Sequence, residues 1–535
     1  MTPKFSSKVR EYAESLSIAF ILAMVIKCFV VEAFKIPTGS MEPTLRGDPS
    51  EGDRILVSKL YYSAHDPERW DIFVFYYPAP SEKQKHYIKR LVGRPGETIR
   101  IYNGNLYVNG RIAGKPADIQ EAMWRKLADE RMLAAAELLH TVNSAKAART
   151  AGLRNRFSVF PWPSGAAAVE YEQQLRLLEN GVPVEYIYKK SAKRARSALS
   201  KWSRARMKAV GSGLPPEQSA HAPGQFERWL GLWLRQRREA EPKILDLNRE
   251  WIAKQRVLLQ KAMQKAWRTS GFQVSTSGRL EADSDGATAT YHRKIVDGRF
   301  SDHIEFITDD GTVWRDRKIG SIRGRGGNDT QEVGDIKFEA DVFVPAQPGA
   351  YSAIVTKGSG IEFVLRVGVT EPADLDDGIE FAFVLTRNGK EVGESTQVIR
   401  TGPALELHLE ITNVDGVYTA KAGDSVVLQD DYTALEASEN EPSSIQLLAS
   451  KGVTFDNIGI WRDVYYTKMG KRMLDDVREW GRDGVFTLGE GEYLALGDNS
   501  PNSRDSRDWG PVPAENIVGR AFFILLPFRR LDFLK

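Results

Sequence analysis

One apolar segment near the start of the chain limits what the rest of it can form. Residues 16–34 are largely apolar, with an uninterrupted run at 18–26, and Lys4, Lys8 and Arg10 precede them. Nineteen helical residues extend about 28 Å, close to the thickness of a bilayer core. We therefore predict a cytoplasmic tail at 1–15 and one transmembrane helix at 16–34.

Two alternatives to a membrane span stay open for this segment. One is a cleaved secretory signal, although 31–34 (Val-Glu-Ala-Phe) fits a small-x-small cleavage site poorly. The other is a buried amphipathic helix, since Lys27 interrupts the apolar run. If the segment spans the membrane, Lys27 extends its ammonium toward the membrane surface. The basic flank then places everything after residue 34 outside the cytoplasmic membrane.

Length and composition exclude several classes of protein. The 535 residues are too many for one hydrophobic core and suggest three or four structural units. A net charge of +3, from 74 basic and 71 acidic residues, gives no argument for a nucleic-acid partner. Cys28 is the only cysteine, which excludes an intrachain disulfide and a cysteine-rich zinc site. The seven histidines form no HExxH and no close pair, so we expect no metal and no cofactor.

The periodicity of the sequence changes twice along the chain. Residues 35–116 are typical of short strands with Asn-Gly turns, and we assign them to the first part of a mainly β core. Residues 117–270 are rich in Ala, Leu, Glu, Lys and Arg at helical spacing. Residues 271–466 return to period-two strands, which indicates a β-sandwich of concanavalin-like or jelly-roll-like type. Residues 467–535 supply the second part of the core.

A basic run at 189–208 lies in the helical part and has two interpretations. It is either the solvated face of a helix or a surface attracted to anionic lipid headgroups. The sequence does not separate the two.

Two short motifs contain residue types that carry chemistry. Ser40 lies in a Gly/Pro turn directly after the apolar segment, and Lys89 lies among strand residues. Burial would lower the pKa of such a lysine and make a neutral amine available as a base. Each signal is weak alone, but together they suggest a Ser/Lys dyad in a chain whose histidines offer no alternative base.

Four blocks of the sequence resemble the bacterial type I signal peptidase (leader peptidase) family. They occur in the family's order and cover about a quarter of the chain with their surroundings; they are Pro37-Thr38-Gly39-Ser40-Met41-Glu42-Pro43-Thr44-Leu45, then Gly52-Asp53-Arg54-Ile55-Leu56-Val57-Ser58-Lys59, then Tyr87-Ile88-Lys89-Arg90-Leu91-Val92-Gly93-Arg94-Pro95-Gly96-Glu97, and finally Gly497-Asp498-Asn499-Ser500-Pro501-Asn502-Ser503-Arg504-Asp505-Ser506-Arg507.

The resemblance implies a role for each matching residue. Ser40 would attack the scissile carbonyl, and Lys89 would be its general base. The Ser40 main-chain N–H and the Thr38 hydroxyl, where the family commonly has Ser, would form the oxyanion hole. Ser503 would orient the Lys89 amine by a hydrogen bond. Supporting contacts would come from the ion pair of Asp505 with Arg507, with Arg90 beside it.

The resemblance also implies a substrate and a location. The substrate would be the signal peptide of a secretory precursor, cut after an Ala-x-Ala type junction by a single-pass enzyme of the cytoplasmic membrane. The insertion at 117–466 departs from the family in size. Its sandwich is interpreted either as a spacer or as a module that binds carbohydrate or protein.

Two other classes of protein stay in competition with this assignment. One is a membrane-tethered binding or scaffold protein whose peptidase core is inactive, which the intact Ser40, Lys89, Thr38 and Ser503 argue against. The other is a soluble self-cleaving repressor peptidase. That class would have a DNA-binding helix-turn-helix where this chain has an apolar segment.

Overall fold

The computed structural model of the protein describes the core and the sandwich. The described ranges are 30–128, 259–291, 333–370, 379–399, 406–432, 443–468 and 481–534, with gaps at 43, 50–51, 79–84, 346, 348, 359, 482 and 527–529, plus a few residues elsewhere. The basic run 189–208 and most of the helical part of the insertion lie outside the described residues.

Seven strands and one short helix precede the insertion. They are β1 (Val31–Lys35), β2 (Arg54–Ser58), α1 (Tyr61–Ala64), β3 (Ile72–Tyr76), β4 (His86–Gly93), β5 (Thr98–Tyr102), β6 (Asn105–Val108) and β7 (Arg111–Ile112). The Asn-Gly pairs close the β5–β6 and β6–β7 hairpins, with positive φ at Asn103, Gly104, Asn109 and Gly110. Two adjacent positive φ angles are the geometry of a type I′ turn, so the predicted hairpins are confirmed.

Residues 31–34 correct the predicted end of the membrane helix. They belong to β1, which pairs antiparallel with β2 from Val31 opposite Ser58 to Lys35 opposite Arg54. The charges of Glu32 and Lys35 suit an exposed strand, and the pairing with β2 satisfies the backbone polar groups. Most of residues 16–30 lies outside the described residues. Among the helices that the structure describes, none is long and apolar enough to cross a membrane.

The insertion begins with a helix and continues with strands. In the part of it that the structure describes, these elements are α2 (Ala117–Met123), β8 (Arg125–Ala128), β9 (Trp267–Ser270), β10 (Phe272–Val274), β11 (Leu280–Ala282), β12 (Ala287–Tyr291), β13 (Phe306–Ile307), β14 (Val313–Trp314), β15 (Ile336–Phe343), β16 (Tyr351–Gly358), β17 (Ile361–Val369), β18 (Ile379–Arg387), β19 (Lys390–Ile399), β20 (Glu406–Val414), β21 (Val417–Ala422), β22 (Ser425–Asp431), β23 (Ser444–Ala449) and β24 (Thr454–Arg462).

The chain then returns to the core with five more strands and one short helix. They are β25 (Val485–Thr487), β26 (Glu492–Leu496), α3 (Ser506–Trp509), β27 (Val512–Pro513), β28 (Ile517–Leu526) and β29 (Asp532–Phe533).

The core sheet contains strands from both sides of the insertion. Its order is β1-β2-β28-β3-β4-β26-β27, and β29 pairs with β28. Strand β3 is apolar at every position from Ile72 to Phe75 because both of its faces are buried. Ile72 and Val74 pack into one hydrophobic cluster, and Phe73 and Phe75 pack into another on the opposite face.

The strands of the insertion form a sandwich of two sheets. One has the order β14-β13-β8-β24-β15-β20-β21-β22 with β10 and β11 attached, and the other has the order β19-β18-β17-β16-β23-β12-β9. Buried and outward residues alternate, as along β17, and the inward residues of both sheets share one hydrophobic cluster. The mainly β fold and the β-sandwich are thus confirmed, whereas its concanavalin-like or jelly-roll-like type stays a prediction.

Two strands of the sandwich lie outside the range that the sequence assigned to it. Strands β8 and β9 fall within 117–270, which was assigned to the helical part. Both strands are four residues long and lie next to helical sequence (117–123 and 259–266), so their period-two pattern is too short to detect. The sandwich therefore begins at the first strand of the insertion.

Candidate active site

Ser40 lies on a tightly anchored turn that follows β1. Residues Gly39–Met41 form a single 3-10 turn, and Ser40 is half-buried at its centre. Met41 and Leu45 are fully buried and fix the turn to the core. A Cβ on Gly39 would lie 2.7 Å from Glu42 Oε2, so a larger residue here would displace the buried Glu42 carboxylate. The motif thus holds one hydroxyl at the surface in a fixed position.

Lys89 is buried in the middle of the core sheet, on β4 between β3 and β26. Lys89 is 2% exposed. The Nζ atom donates to Ser40 Oγ at 2.8 Å and to the Ile88 carbonyl oxygen at 2.8 Å. Ser40 and Lys89 are 49 residues apart in the chain. Their contact therefore depends on the fold and not on local sequence.

The surroundings of Lys89 lower its pKa and so raise the fraction of the amine that is neutral. Burial lowers the pKa of Lys89 to about 8, because the ammonium loses its hydration. The carboxylates of Asp505 and Asp498 raise this pKa in part, and Arg507 lowers it. About a tenth of the amine is then neutral at pH 7. A neutral amine within hydrogen-bond distance of a hydroxyl is the arrangement required for general-base catalysis.

The segment around Asp498 forms hydrogen bonds with the residues at and after the turn Gly39–Met41, which we call the serine turn. The Asn499 backbone N–H donates to the Ser40 carbonyl at 3.1 Å, and Asn499 Nδ2 donates to the Gly39 carbonyl at 3.0 Å. Thr44 Oγ1 donates to Asp498 Oδ2 at 2.6 Å. These contacts restrict the position of the Ser40 backbone, which carries the predicted oxyanion donor.

Asp498 also forms a fully buried ion pair with Arg90. Arg90 Nε and Nη2 each lie 2.8 Å from a carboxylate oxygen of Asp498, and both side chains are 0% exposed. Burial is the largest effect and would raise the pKa of Asp498, but the charges of Arg90 and Arg125 and the hydrogen bonds from Arg90 and Thr44 together lower it. The sequence placed Arg90 beside the Asp505–Arg507 pair, whereas in the structure its partner is Asp498. The role of Asp498 was missed, although the residue lies in the fourth block.

Asp505 and Arg507 form a second buried ion pair at the start of α3. Arg507 Nε and Nη2 lie 2.8 and 2.6 Å from the Asp505 carboxylate oxygens, as a bidentate pair. Arg507 Nη1 also donates to the Thr467 carbonyl at 2.8 Å and to Ser500 Oγ at 2.7 Å. The pair expected from the sequence is therefore present, and it stabilises the loop between β26 and α3.

Ser503 is close to the dyad but does not make the expected bond. Its side chain is fully buried, and its Oγ has no hydrogen-bond partner among the described residues. The Lys89 Nζ directs its donors to Ser40 and Ile88 instead. The predicted hydrogen bond between Ser503 and Lys89 is thus not formed in this structure. The supporting role of Ser503 stays a prediction.

Gly497 separates Ser503 from the serine turn. A Cβ at this position would lie 2.2 Å from Ser503 Oγ and 2.5 Å from the Ser40 carbonyl oxygen. We expect Gly497→Ala to displace the Ser40 backbone. This displacement should lower kcat for the precursor cleavage that the resemblance implies by about 10–100-fold. Gly114→Ala is the matched control, because nothing lies within 4 Å of a Cβ there. Equal kcat values for the two variants would contradict the close packing.

Thr38 is the exposed residue before the turn. Its backbone is extended, and its side chain makes no capping hydrogen bond to the 3-10 turn. Gly47 packs directly on its carbonyl group, since a Cβ there would lie 1.9 Å from Thr38 O. The hydroxyl is therefore not used to cap the turn, and its place in an oxyanion hole stays a prediction.

One group of carboxylates in the described residues has the spacing of a cation site. Asp335, Asp415 and Asp463 offer oxygens within 4.8 Å of one another. Lys115 Nζ lies 2.8 Å from Asp415 Oδ1 and 2.7 Å from Asp463 Oδ2. This ammonium compensates one of the three negative charges, and burial raises the pKa of Asp335 well above its ordinary value, so we assign no metal to the group.

Comparison with known proteins relates both ends of the chain to one family. The model of the family described as "Signal peptidase, peptidase S26" matches residues 9–157 and 419–526. The chain is 42% identical over 106 residues to a probable signal peptidase I-2 of Synechocystis sp., and this match covers 19% of this chain and 46% of that protein. It is 41% identical over 118 residues to signal peptidase I of Pseudomonas aeruginosa, which covers 20% of this chain and 39% of that protein.

The chain thus spans less than half the length of these two curated relatives. The predicted resemblance to bacterial type I signal peptidases is confirmed. Among solved structures, a carbohydrate binding module (CBM66) from Bacillus subtilis covers 36% of this chain and 94% of that module, at 12% identity and a TM-score of 0.22. This likeness is too remote to indicate a ligand for the sandwich.

Proposed function

We propose, from the place of this chain among the type I signal peptidases, that it is a membrane-associated endopeptidase that removes signal peptides from secretory precursors. The observation that carries the proposal is the 2.8 Å contact between Lys89 Nζ and Ser40 Oγ, made by a lysine that is 2% exposed. An inactive binding protein would have no need to keep a buried, desolvated amine against a serine hydroxyl.

The proposed reaction follows from the positions of these two groups. The neutral Lys89 amine accepts the Ser40 proton while Ser40 Oγ attacks the carbonyl carbon of the scissile bond. The tetrahedral oxyanion is stabilised by the Ser40 N–H and the Thr38 hydroxyl, each donor contributing about 3 kcal/mol. The Lys89 ammonium then protonates the leaving amine, and the C–N bond breaks. Lys89 next takes a proton from a water molecule whose oxygen attacks the acyl carbon, and it returns this proton to Ser40 Oγ as the ester bond breaks, which restores the free serine and the neutral amine.

The proposed location is the cytoplasmic membrane, with the dyad on its outer side. The supporting observation is that β1 (Val31–Lys35) includes the last residues of the apolar segment, and that the Ser40 turn follows β1. A short tether of this kind would keep the dyad near the membrane surface, where the end of a signal peptide emerges. We further propose the cytoplasmic, membrane, core and insertion segments that the sequence predicts, with two changes. The membrane segment ends before β1, and β8 and β9 belong to the sandwich.

Cleavage of a secretory precursor tests this function directly. The full chain, purified in detergent, is expected to cut a precursor with an Ala-x-Ala junction once, at that junction. A matched precursor with Leu at both Ala positions should remain uncut, because the proposed substrate has small residues there. Absence of cleavage of the first precursor would contradict the proposed function.

The pH dependence of cleavage reports on Lys89. Only the neutral amine can accept the Ser40 proton, and burial lowers the pKa of Lys89 to about 8. We expect kcat/KM to rise about tenfold per pH unit below pH 8 and to level off above it. The measurement is a kcat/KM profile from about pH 6 to about pH 10 with a stability check at each value. A profile that is flat between pH 6 and pH 8 would exclude Lys89 as the base.

A further inference from the structure

The chain leaves the insertion through residues 463–467, which we call the return segment. Val464 and Tyr466 are buried in the same hydrophobic cluster as Val92 of β4. The Tyr466 N–H also donates to the Gly104 carbonyl at 3.1 Å, in the turn between β5 and β6. The return segment is therefore packed against the core along its length and is not a flexible linker.

The start of the return segment is bound to the sandwich by buried charges. Asp463 Oδ2 lies 2.7 Å from Lys115 Nζ, and the same ammonium lies 2.8 Å from Asp415 Oδ1, in the turn between β20 and β21. Gln120 Nε2 of α2 donates to Asp463 Oδ1 at 3.0 Å. The three charged side chains are at most 9% exposed, so solvent screens their attraction little. The sandwich thus fixes where the return segment begins.

The end of the return segment is bound to the loop between β26 and α3. The Thr467 N–H donates to Ser500 Oγ at 2.9 Å. Arg507 Nη1 donates to the Thr467 carbonyl oxygen at 2.8 Å and to Thr467 Oγ1 at 2.6 Å. Thr467 therefore makes three hydrogen bonds to two residues that lie 33 and 40 positions further along the chain.

Ser500 and Arg507 join these contacts into one network. Ser500 Oγ also accepts from Arg507 Nη1 at 2.7 Å, and the Ser500 carbonyl oxygen accepts from Arg507 Nη2 at 2.8 Å. Ser500 is 0% exposed and Arg507 is 3% exposed. A planar guanidinium that is bound at several atoms holds its partners in one geometry. The 3-10 turn Ser500–Asn502, which begins at Ser500, is therefore fixed to Thr467.

The turn Ser500–Asn502 follows directly on the residue that binds the serine turn. This residue is Asn499, whose N–H donates to the Ser40 carbonyl at 3.1 Å and whose Nδ2 donates to the Gly39 carbonyl at 3.0 Å. The Gly39 carbonyl and the Ser40 N–H belong to one planar peptide group. The bond from Asn499 Nδ2 thus sets the orientation of the Ser40 N–H, which is the proposed oxyanion donor.

We propose that Thr467 is a positioning residue of the peptidase site, which orients the Ser40 N–H. Thr467 acts through the turn that begins at Ser500 and through Asn499. The insertion is then coupled to the active centre by the return segment and is not only a spacer. The inference rests on the proposed peptidase function, and it adds a residue that lies in none of the four sequence blocks.

The test removes each side of the link between Thr467 and Ser500, and then both sides. Thr467→Val removes the hydroxyl that accepts from Arg507 and keeps the shape of the side chain, whereas Thr467→Ser keeps the hydroxyl. Ser500→Ala removes the acceptor of the Thr467 N–H. Each full chain, purified in detergent, is assayed with the Ala-x-Ala precursor for kcat and KM. The rate constant and the amplitude of a single turnover and the thermal unfolding are measured as well.

Two control variants make the same chemical changes in the sandwich. Thr370→Val removes a hydroxyl that donates to Glu380 Oε2 at 2.8 Å. Ser450→Ala removes a buried hydroxyl that accepts from the Tyr351 N–H at 2.9 Å. Both controls should keep the kcat of the wild-type chain, because neither hydroxyl belongs to the network around Thr467.

We expect Thr467→Val to lower kcat about fivefold and Ser500→Ala to lower it about tenfold. KM should be nearly unchanged, because the Ser40 N–H binds the oxyanion of the transition state. Thr467→Ser should have nearly the kcat of wild type. If the two residues act through one link, the double variant should lose about tenfold, whereas independent effects would multiply to about fiftyfold.

A merely structural role of Thr467 would lower the amplitude of the single turnover and leave its rate constant as in wild type. That result would overturn the proposal, as would wild-type kcat in both single variants or a loss of about fiftyfold in the double variant. Unfolding of both single variants, equal losses of kcat in the sandwich controls, or no recovery in Thr467→Ser would overturn it too. Failure of the wild-type chain to cut the precursor would instead refute the proposed function, so the two failures are distinguishable.

Discussion

Ser40→Ala and Lys89→Met are each expected to lower kcat for precursor cleavage by at least about 10⁴-fold. In the proposed mechanism Ser40 supplies the atom that becomes bonded to the substrate, and Lys89, whose Nζ lies 2.8 Å from Ser40 Oγ, is the base. Because the two groups act as a unit, the double variant should be hardly less active than either single variant. The measurement is single-turnover cleavage of the Ala-x-Ala precursor at about pH 9, where we expect wild-type activity to be near its plateau.

The control for the dyad variants is their stability. At pH 7 wild-type Lys89 is mostly protonated in a buried position, which costs free energy. The Lys89→Met protein should therefore be at least as resistant to thermal unfolding as wild type at that pH. Ser63→Ala, at an exposed position in α1, serves as the matched serine variant. Undiminished cleavage by either dyad variant would exclude the proposed mechanism.

Breaking the Arg90–Asp498 pair is expected to cause the largest loss of stability. Both side chains are 0% exposed, and Arg90 makes two 2.8 Å contacts with the carboxylate. Asp498→Ala leaves a buried guanidinium without its counter-charge, which typically costs about 3–5 kcal/mol in the free energy of unfolding. The measurement is the free energy of unfolding in urea, for the full chain in detergent.

A double variant separates the pair from the packing around it. Arg90→Met with Asp498→Leu removes both charges and should recover a large part of the loss, because no charge is then left buried alone. The contrast of Asp498→Ala with Asp430→Ala, whose partner Arg387 is 24% exposed, tests the effect of burial. A loss of less than about 1 kcal/mol for Asp498→Ala would contradict the importance of the pair.

The local patterns that were predicted correctly have short-range physical causes. The Asn-Gly hairpins of β5 to β7 depend on the ease with which these two residues adopt positive φ. The strands of the sandwich depend on alternation of apolar and polar residues, which the sequence displays directly. Ser40 and Lys89 were found because the residue types and motifs around them are specific, and the structure places the two atoms within hydrogen-bond distance.

Other features failed to show in the sequence because they depend on distant partners. The end of the apolar segment was assigned to a helix, but pairing with β2 makes 31–34 a strand. Ser503 was expected to bind Lys89, but the Lys89 donors are directed to Ser40 and Ile88. Arg90 pairs with Asp498, which is 408 residues away. No spacing rule relates residues at that distance.

Ser40 and Lys89, the β-rich core and the sandwich were determined by the sequence itself, because turn chemistry, strand alternation and motif residues are local properties. Only the tertiary structure decided which charges face one another and how the insertion meets the core. Burial is the reason: an ion pair or a lowered pKa exists only where the fold excludes water. The contacts of Asp498 with Arg90 and of Lys115 with Asp415 and Asp463 are of this kind.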